Sequence, residues 1–142
     1  MKRQTIALLT IAGTLVSCGS QKAAVDESKL YAGEWRAVEI RGEVPAYQED
    51  GAYINFDKSS GETQGNAGCN ILNAPFKQNG ASLKIENGAM TRMMCLDGDL
   101  EQKYVDALED VRAFNFAGDT LQLLDSRDKV VLKFVLNRRI IP

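Results

Sequence analysis

The sequence predicts an α+β domain, in which one helix packs on a strongly curved antiparallel sheet or open β-barrel of about eight strands. Short apolar segments recur along the chain, and glycine, asparagine and aspartate residues separate them. The strongest hairpin signal is Asn79-Gly80, which lies between two such segments. Only one stretch, about Leu100 to Val111, has apolar residues at helical spacing.

The predicted strands follow one another with short connections. They cover residues 35–40, 52–57, 62–65, 74–77, 81–86, 113–117, 120–124 and 130–136. Tight turns join strands that are neighbours in sequence, so we expect antiparallel pairing throughout. In the last strand, valines also occupy the solvent side of the alternation, which predicts that this face is partly covered.

The predicted helix has a start signal and one apolar stripe. Asp99 is the expected N-cap, and Gln102 three residues later completes a capping box. Leu100, Tyr104 and Leu108 then recur at spacings of four, which places them on the face that packs against the sheet.

Composition limits the functions that the chain can perform. The chain has 142 residues, of which 44% are hydrophobic and 25% charged, and these values are typical of one globular domain. It contains no histidine, which excludes every mechanism that needs an imidazole base, nucleophile or metal ligand. Its serines, tyrosines, lysines and carboxylates form no recognisable catalytic arrangement. An enzyme is therefore the least favoured class of function.

The first 17 residues resemble a bacterial lipoprotein signal peptide. Lys2 and Arg3 precede an uncharged, mostly apolar run that is too short to span a bilayer. The run ends in Leu15-Val16-Ser17-Cys18, which is similar to a lipobox and implies cleavage before Cys18 and acylation of that cysteine. An ordinary secretory peptide is the alternative, but Leu15 is bulky where such a cleavage site has a small residue.

Residues 18–29 are predicted to be the lipidated cysteine and a flexible tether, and residues 30–142 to be the folded domain. The tether has a root-mean-square reach of about 18 Å, so the domain stays close to the lipid. Gly19 does not match the aspartate that retains enteric lipoproteins in the inner membrane, so we expect the outer membrane, facing the periplasm.

The net charge of −2 becomes −4 without the signal peptide, which holds two basic and no acidic residues. This acidic balance argues against a nucleic-acid partner.

Two further cysteines, Cys69 and Cys95, remain after acylation of Cys18. An oxidising compartment favours one structural disulfide between them. Two buried thiols are the alternative, since a free cysteine packs as a small hydrophobic residue. A redox-active pair is less favoured because the two are not in a Cys-x-x-Cys motif.

Three segments contain residues that can bind a metal or take part in catalysis, but their patterns do not favour such a site. Residues 97–101 do not match an EF-hand, because Gln102 stands where the turn glycine is needed. Glu49-Asp50 lies in a predicted exposed loop and not in a glycosidase-like pair. Met90, Met93 and Met94 are predicted to fill gaps in the core and not to bind copper. We expect no metal and no cofactor.

A further set of motifs is spread between residues 30 and 136. Its residues are Gly33, Trp35, Gly65, Gly68, Cys69, Asn70, Thr91, Met93 and Cys95, followed by Glu101 in a helix with an Ala-Leu pair. Together these motifs resemble the META/HslJ-like domain family. Met94 departs from the usual small residue, and one extra residue lies between Leu30 and Gly33. The resemblance implies a small envelope domain, often in lipoproteins, which is linked to heat-shock or antibiotic stress. It also implies no catalytic residue and no enzymatic activity, because the family has no established catalysis.

An alternative resemblance concerns the start of the domain. Gly33-Glu34-Trp35 is similar to the Gly-x-Trp opening of lipocalin-like barrels, which carry small apolar ligands in the lumen. Two kinds of partner are expected from these resemblances. The first is the membrane, through acyl chains on Cys18, and the second is an unknown protein or a small apolar ligand. We expect the chain to be a monomer.

Overall fold

The computed structural model describes residues 24–46, 51–95 and 98–138. A 3₁₀ helix at Glu27–Tyr31 precedes the first strand. The strands are β1 (Trp35–Ile40), β2 (Tyr53–Asp57), β3 (Glu62–Asn66), β4 (Ile71–Asn79), β5 (Ser82–Ile85), β6 (Ala89–Met90), β7 (Ala113–Ala117), β8 (Thr120–Leu124) and β9 (Val130–Leu136), and the helix α1 spans Gly98–Glu109. The predicted signal peptide, Cys18 and Glu49-Asp50 lie outside the described residues.

The strands close into a ring in chain order, β1-β2-β3-β4-β5-β7-β8-β9, with β9 paired back to β1. Every pairing is antiparallel. The short β6 pairs with the first part of β4 and continues the line of β5 after a break. The narrowest junction is β5–β7, which has one registered pair, Ser82 opposite Ala113. The predicted α+β class with a curved antiparallel sheet and one helix is confirmed.

The element boundaries differ most from the prediction at β4 and α1. β4 is longer than predicted because its first half pairs with β3 on one side and β6 on the other. α1 begins one residue before the predicted N-cap, so Asp99 lies inside its first turn. Val111 lies beyond the helix because its N–H already bonds to the Leu108 carbonyl in a tighter turn, at 3.2 Å. The next N–H, of Arg112, bonds to Leu124 and starts the strand pairing.

The antiparallel order places successive connections at alternate ends of the barrel. The near end holds the N-terminal segment, the β2–β3, β4–β5 and β7–β8 turns and the residues after β9. The far end holds the β1–β2, β3–β4 and β8–β9 connections and the long passage from β6 through α1 to β7. In the described part of the chain, no helix is both long and apolar enough to cross a membrane.

Apolar side chains fill the interior of the barrel. At the near end, Leu30 is fully buried and its carbonyl accepts a hydrogen bond from Trp35 Nε1 at 2.9 Å. At the far end, Tyr104 of α1 is fully buried against Phe134, with ring centroids 6.3 Å apart. The Tyr104 hydroxyl donates to the Tyr53 carbonyl at 3.3 Å, and burial raises the pKa of Tyr104 far above its usual range. These side chains occupy the space in which a lipocalin-like barrel would hold its ligand.

Two ion pairs connect α1 and its C-terminal end to the β1–β2 connection. Lys103 Nζ lies 2.8 Å from Glu43 Oε2, and Arg41 Nη2 lies 2.8 Å from Asp110 Oδ2. The hydrogen bond and charge of Lys103 lower the pKa of Glu43. Because all four side chains are exposed, these pairs add little stability.

Close approach of β3 to β2 makes Gly65 sensitive to substitution. A β-carbon at Gly65 would overlap the Tyr53 carbonyl oxygen of β2. We expect Gly65→Ala to lower the free energy of unfolding by about 1–3 kcal/mol, the usual range for overpacking. Urea denaturation of both proteins at fixed salt and temperature measures this difference.

The matched control is Gln64→Ala, an exposed neighbour on the same strand. That substitution should change the free energy of unfolding by no more than about 0.5 kcal/mol. Equal stability of the Gly65 and Gln64 variants would contradict the close strand approach.

Candidate functional site

Most of the motif residues meet at the far end of the barrel. They come from three places in the chain, which are the β3–β4 turn, the segment after β6 and the first turn of α1. We call this group the Asn70 cluster, and it consists of Asn70, Thr91, Met93, Glu101 and the disulfide-bonded Cys69 and Cys95. Of the other motif residues, Gly65 lies in β3 and Gly68 in the β3–β4 turn. Gly33 and Trp35 lie at the near end instead, where Trp35 is buried. Cys18 lies outside the described residues.

The β3–β4 turn is shaped by its own sequence. Gly68 has a φ of 105°, a conformation that residues with a β-carbon rarely adopt. The Asn66 side chain accepts a hydrogen bond from Gly68 N at 2.7 Å, and Ala67 N donates to the Asn70 carbonyl at 2.8 Å. The turn therefore presents both Cys69 and Asn70 toward the segment after β6.

The Asn70 side chain holds that segment in place. Its Oδ1 accepts hydrogen bonds from Met93 N at 2.7 Å and from Thr91 Oγ1 at 2.8 Å. Thr91 in turn accepts a hydrogen bond from Ile71 N at 3.0 Å. Because two donors face Oδ1, the orientation of the amide is fixed by its partners.

The other side of the amide faces the helix. Asn70 Nδ2 donates to Glu101 Oε1 at 3.0 Å, and the Asn70 backbone N donates to Glu101 Oε2 at 2.9 Å. Asn70 is only 2% exposed, so these hydrogen bonds to a carboxylate are shielded from water. One carboxylate thus connects α1 to the β3–β4 turn through both of its oxygens.

A disulfide joins the same turn to the same segment. Cys69 and Cys95 are bonded, and their α-carbons lie 6.0 Å apart. Asn70 Nδ2 lies 3.2 Å from Cys95 Sγ, which puts the covalent and hydrogen-bonded restraints side by side. With its cysteines oxidised, and with Asn70 and Glu101 engaged in hydrogen bonds, the cluster is suited to holding a shape.

The prediction that Met90, Met93 and Met94 fill gaps in the core is wrong. Their exposed fractions are 37%, 59% and 101%, and neighbouring Ile71 is 45% exposed. Main-chain contacts hold the segment after β6 on the outside of the barrel, so its side chains project into solvent. We call Ile71, Met90, Met93 and Met94 the far-end apolar patch.

An apolar cleft adjoins the cluster along β1. Its volume is about 170 Å³, and its walls include Val38, Val44, Leu100 and Val135. Gly68 also lines the cleft, so the β3–β4 turn borders both the cleft and the disulfide. Sequence reasoning missed this cleft. The solvent-side valines of the last strand were its one signal, since Val135 lines the cleft while Val131 is buried.

One known protein family has a model that matches most of the chain. The model of the META domain family matches residues 27–138. No curated protein sequence matches this chain.

Solved structures share the fold at low sequence identity. A DUF4847 family protein from Bacteroides vulgatus is 17% identical, with a TM-score of 0.60 over 80% of this chain and 98% of that one. A protein from Burkholderia xenovorans is 16% identical, with a TM-score of 0.61 over 96% of this chain and 99% of that one. Another protein solved by NMR is 20% identical, with a TM-score of 0.61 over 77% and 92% of the two chains. At these identities the likeness shows the fold alone.

The hydrogen bonds of Asn70 make a testable contribution to stability. Asn70→Ala removes both polar groups of the side chain and leaves the Met93 N–H and Glu101 without these partners. We expect a loss of about 3 kcal/mol in the free energy of unfolding, measured by urea denaturation with the disulfide intact.

Asn70→Asp should introduce a pH dependence as well. The introduced carboxyl faces Glu101, so it holds its proton more tightly in the folded chain and its folded pKa is raised. The stability deficit should therefore be smallest below about pH 4 and grow as the pH rises. Asn73→Asp, at an exposed position of β4, is the control, and a deficit independent of pH would contradict the contact with Glu101.

Proposed function

Because the chain belongs to the META domain family, we propose that it is a lipid-anchored, non-catalytic binding module of a bacterial cell envelope. The family match confirms the resemblance seen in the sequence motifs. A role in envelope stress or antibiotic tolerance is part of the proposal and follows from the same resemblance.

The position of the N-terminal segment supports the proposed anchor. The 3₁₀ helix at Glu27–Tyr31 packs at the near end, where Lys58 Nζ lies 5.5 Å from the Tyr31 ring centroid. An acylated Cys18 would therefore attach the barrel by its near end. In the proposed arrangement this end lies closest to the outer membrane and the domain faces the periplasm.

The observation that carries the binding role is the exposure of apolar side chains at the opposite end. A strand rises about 3.3 Å per residue, so the barrel wall holds the far end roughly 20 Å beyond the near end. There the Asn70 side chain and the disulfide fix the segment that carries the exposed methionines. Without these restraints, ordering this segment would cost conformational entropy that no burial of its side chains offsets. Exposed apolar patches with adaptable methionines are typical of protein-binding surfaces.

The non-catalytic part of the proposal rests on the same cluster. Both oxygens of Glu101 accept hydrogen bonds from Asn70, and Cys69 and Cys95 are bonded to each other. Neither the carboxylate nor the sulfurs are thus arranged as a base or nucleophile.

The alternative, a lipocalin-like carrier, has less support. Tyr104, Phe114 and Phe134 are among the fully buried side chains that fill the barrel interior. A small apolar ligand would therefore have to use the outer cleft beside Val38 and Val135, which has a volume of about 170 Å³.

Metabolic labelling with a palmitate analogue tests the anchor. We expect the wild-type chain to be labelled and to partition with membranes, and Cys18→Ala to lose both properties. Cys95→Ala is the matched control, because it removes a different cysteine and should remain labelled. Labelling of the Cys18→Ala chain would contradict the proposed lipidation.

Site-specific photo-cross-linking tests the binding surface. A photoreactive residue replaces Met94 at the far end or, as the control, the exposed Glu62 at the near end. We expect a discrete cross-linked product from position 94 in intact cells and a much weaker one from position 62. Equal yields at both positions would contradict a far-end surface, and a product of twice the chain mass would contradict a monomer.

A further inference from the structure

Three groups able to bind a metal ion converge in the Asn70 cluster. The sulfurs of Cys69 and Cys95 and a carboxylate oxygen of Glu101 all lie within 4.8 Å of one another. Each residue comes from a different element, and each is half-buried. In the structure the two sulfurs are bonded together, so neither is available as a thiolate ligand.

We propose that reduction of the Cys69–Cys95 disulfide creates a binding site for a thiophilic divalent cation such as Zn²⁺, with both thiolates and the Glu101 carboxylate as ligands. Two sulfurs and one oxygen form a set that suits zinc, whereas Mg²⁺ and Ca²⁺ prefer oxygen ligands alone. The fourth tetrahedral position remains open to water.

The chain holds these ligands together independently of the disulfide bond. The Asn70 side chain, next to Cys69, accepts hydrogen bonds from Met93 N and Thr91 Oγ1, and so holds the segment that leads to Cys95. In a tetrahedral site with Zn–S bonds of about 2.3 Å, the two sulfurs lie roughly 3.8 Å apart. An α-carbon separation of 6.0 Å allows both sulfurs to reach one ion by small side-chain rotations.

Asn70 is well placed to orient the third ligand. Its backbone N–H and Nδ2 each donate to one Glu101 oxygen, at 2.9 and 3.0 Å. A carboxylate has about four lone-pair directions, so hydrogen-bonded oxygens keep capacity for a metal ion. Hydrogen bonds of this kind hold metal-binding carboxylates in position.

The zinc site forms from the disulfide in two successive steps. A dithiol reductant gives two electrons and two protons to the Cys69–Cys95 bond, which breaks to two thiols while the reductant becomes a cyclic disulfide. Zn²⁺ then displaces the two thiol protons to solvent and forms two Zn–S bonds and one Zn–O bond. The positive charge of the ion offsets the electrostatic repulsion among two thiolates and one carboxylate. This attraction favours binding to the reduced cluster.

The test uses the full-length chain carrying Cys18→Ser, which leaves Cys69 and Cys95 as its only cysteines. A phosphine reduces the disulfide without binding zinc as a thiol would, and is converted to its oxide with oxygen from water. Competition with a chromophoric zinc chelator then gives stoichiometry and affinity. We expect one Zn²⁺ per reduced chain and no stoichiometric binding to the oxidised chain.

Two variants assign the ligands. Adding Cys95→Ser should abolish binding, and Glu101→Gln should weaken it on the order of tenfold or more. Asp99→Asn is the matched control, because Asp99 is an exposed acid in the same helical turn, and its affinity should be unchanged. Circular dichroism of every reduced chain, with and without Zn²⁺, monitors the fold.

Two results of these binding measurements would contradict a zinc site in the folded cluster. Absence of binding to the reduced chain would overturn the proposal. Equal affinity of the reduced parent and the Glu101→Gln chain would also overturn it, because this is the result expected when zinc binds two thiols of an unfolded chain.

Discussion

The far end of this barrel depends on one buried amide. Asn70 has a single small side chain, yet its two polar atoms and its backbone connect its own turn to two distant elements. These are the extended segment at Met93, 23 residues away in sequence, and the helix at Glu101, 31 residues away. An amide is suited to this task because it offers donors and acceptors together, so a carbonyl, an N–H and a carboxylate can all be satisfied at once. An apolar side chain of similar size would remove the side-chain hydrogen bonds to all three groups and leave only the Asn70 backbone N–H in contact with Glu101.

The disulfide and the Asn70 hydrogen bonds restrain the same two segments by different physical means. A covalent link acts largely on the unfolded chain, whose freedom it restricts, whereas hydrogen bonds act on the folded chain. Together they permit an arrangement that apolar burial alone would not select, in which Met93 and Met94 remain in solvent. The position of this segment is therefore determined by the disulfide and by its hydrogen bonds to Asn70.

The sequence allowed the fold to be predicted more fully than the site. Alternation and turn residues are local signals, and β1, β7, β8 and β9 were predicted with the bounds that the structure has. The two-residue β6 has no alternation to detect, and it is a strand only because Leu72 and Asn73 lie opposite it. The exposure of the methionines could not be predicted either. Hydrophobicity indicates what a side chain prefers, while its location here depends on Asn70 and Cys69, which are far away in sequence.

The pairing of β1 with β9 has a consequence for how the chain is made. β1 pairs with β2 on one side, but on the other side Trp35 lies opposite Leu136. One of the two partners of the first strand to leave the ribosome is therefore the last strand of the domain. Pairs such as β2–β3 and β3–β4 need only short loops to close, and they can form while synthesis continues. The barrel itself cannot close until about 100 residues more have followed β1. Until then any sheet formed by the earlier strands is open, with two unpaired edges that favour aggregation or the binding of a chaperone.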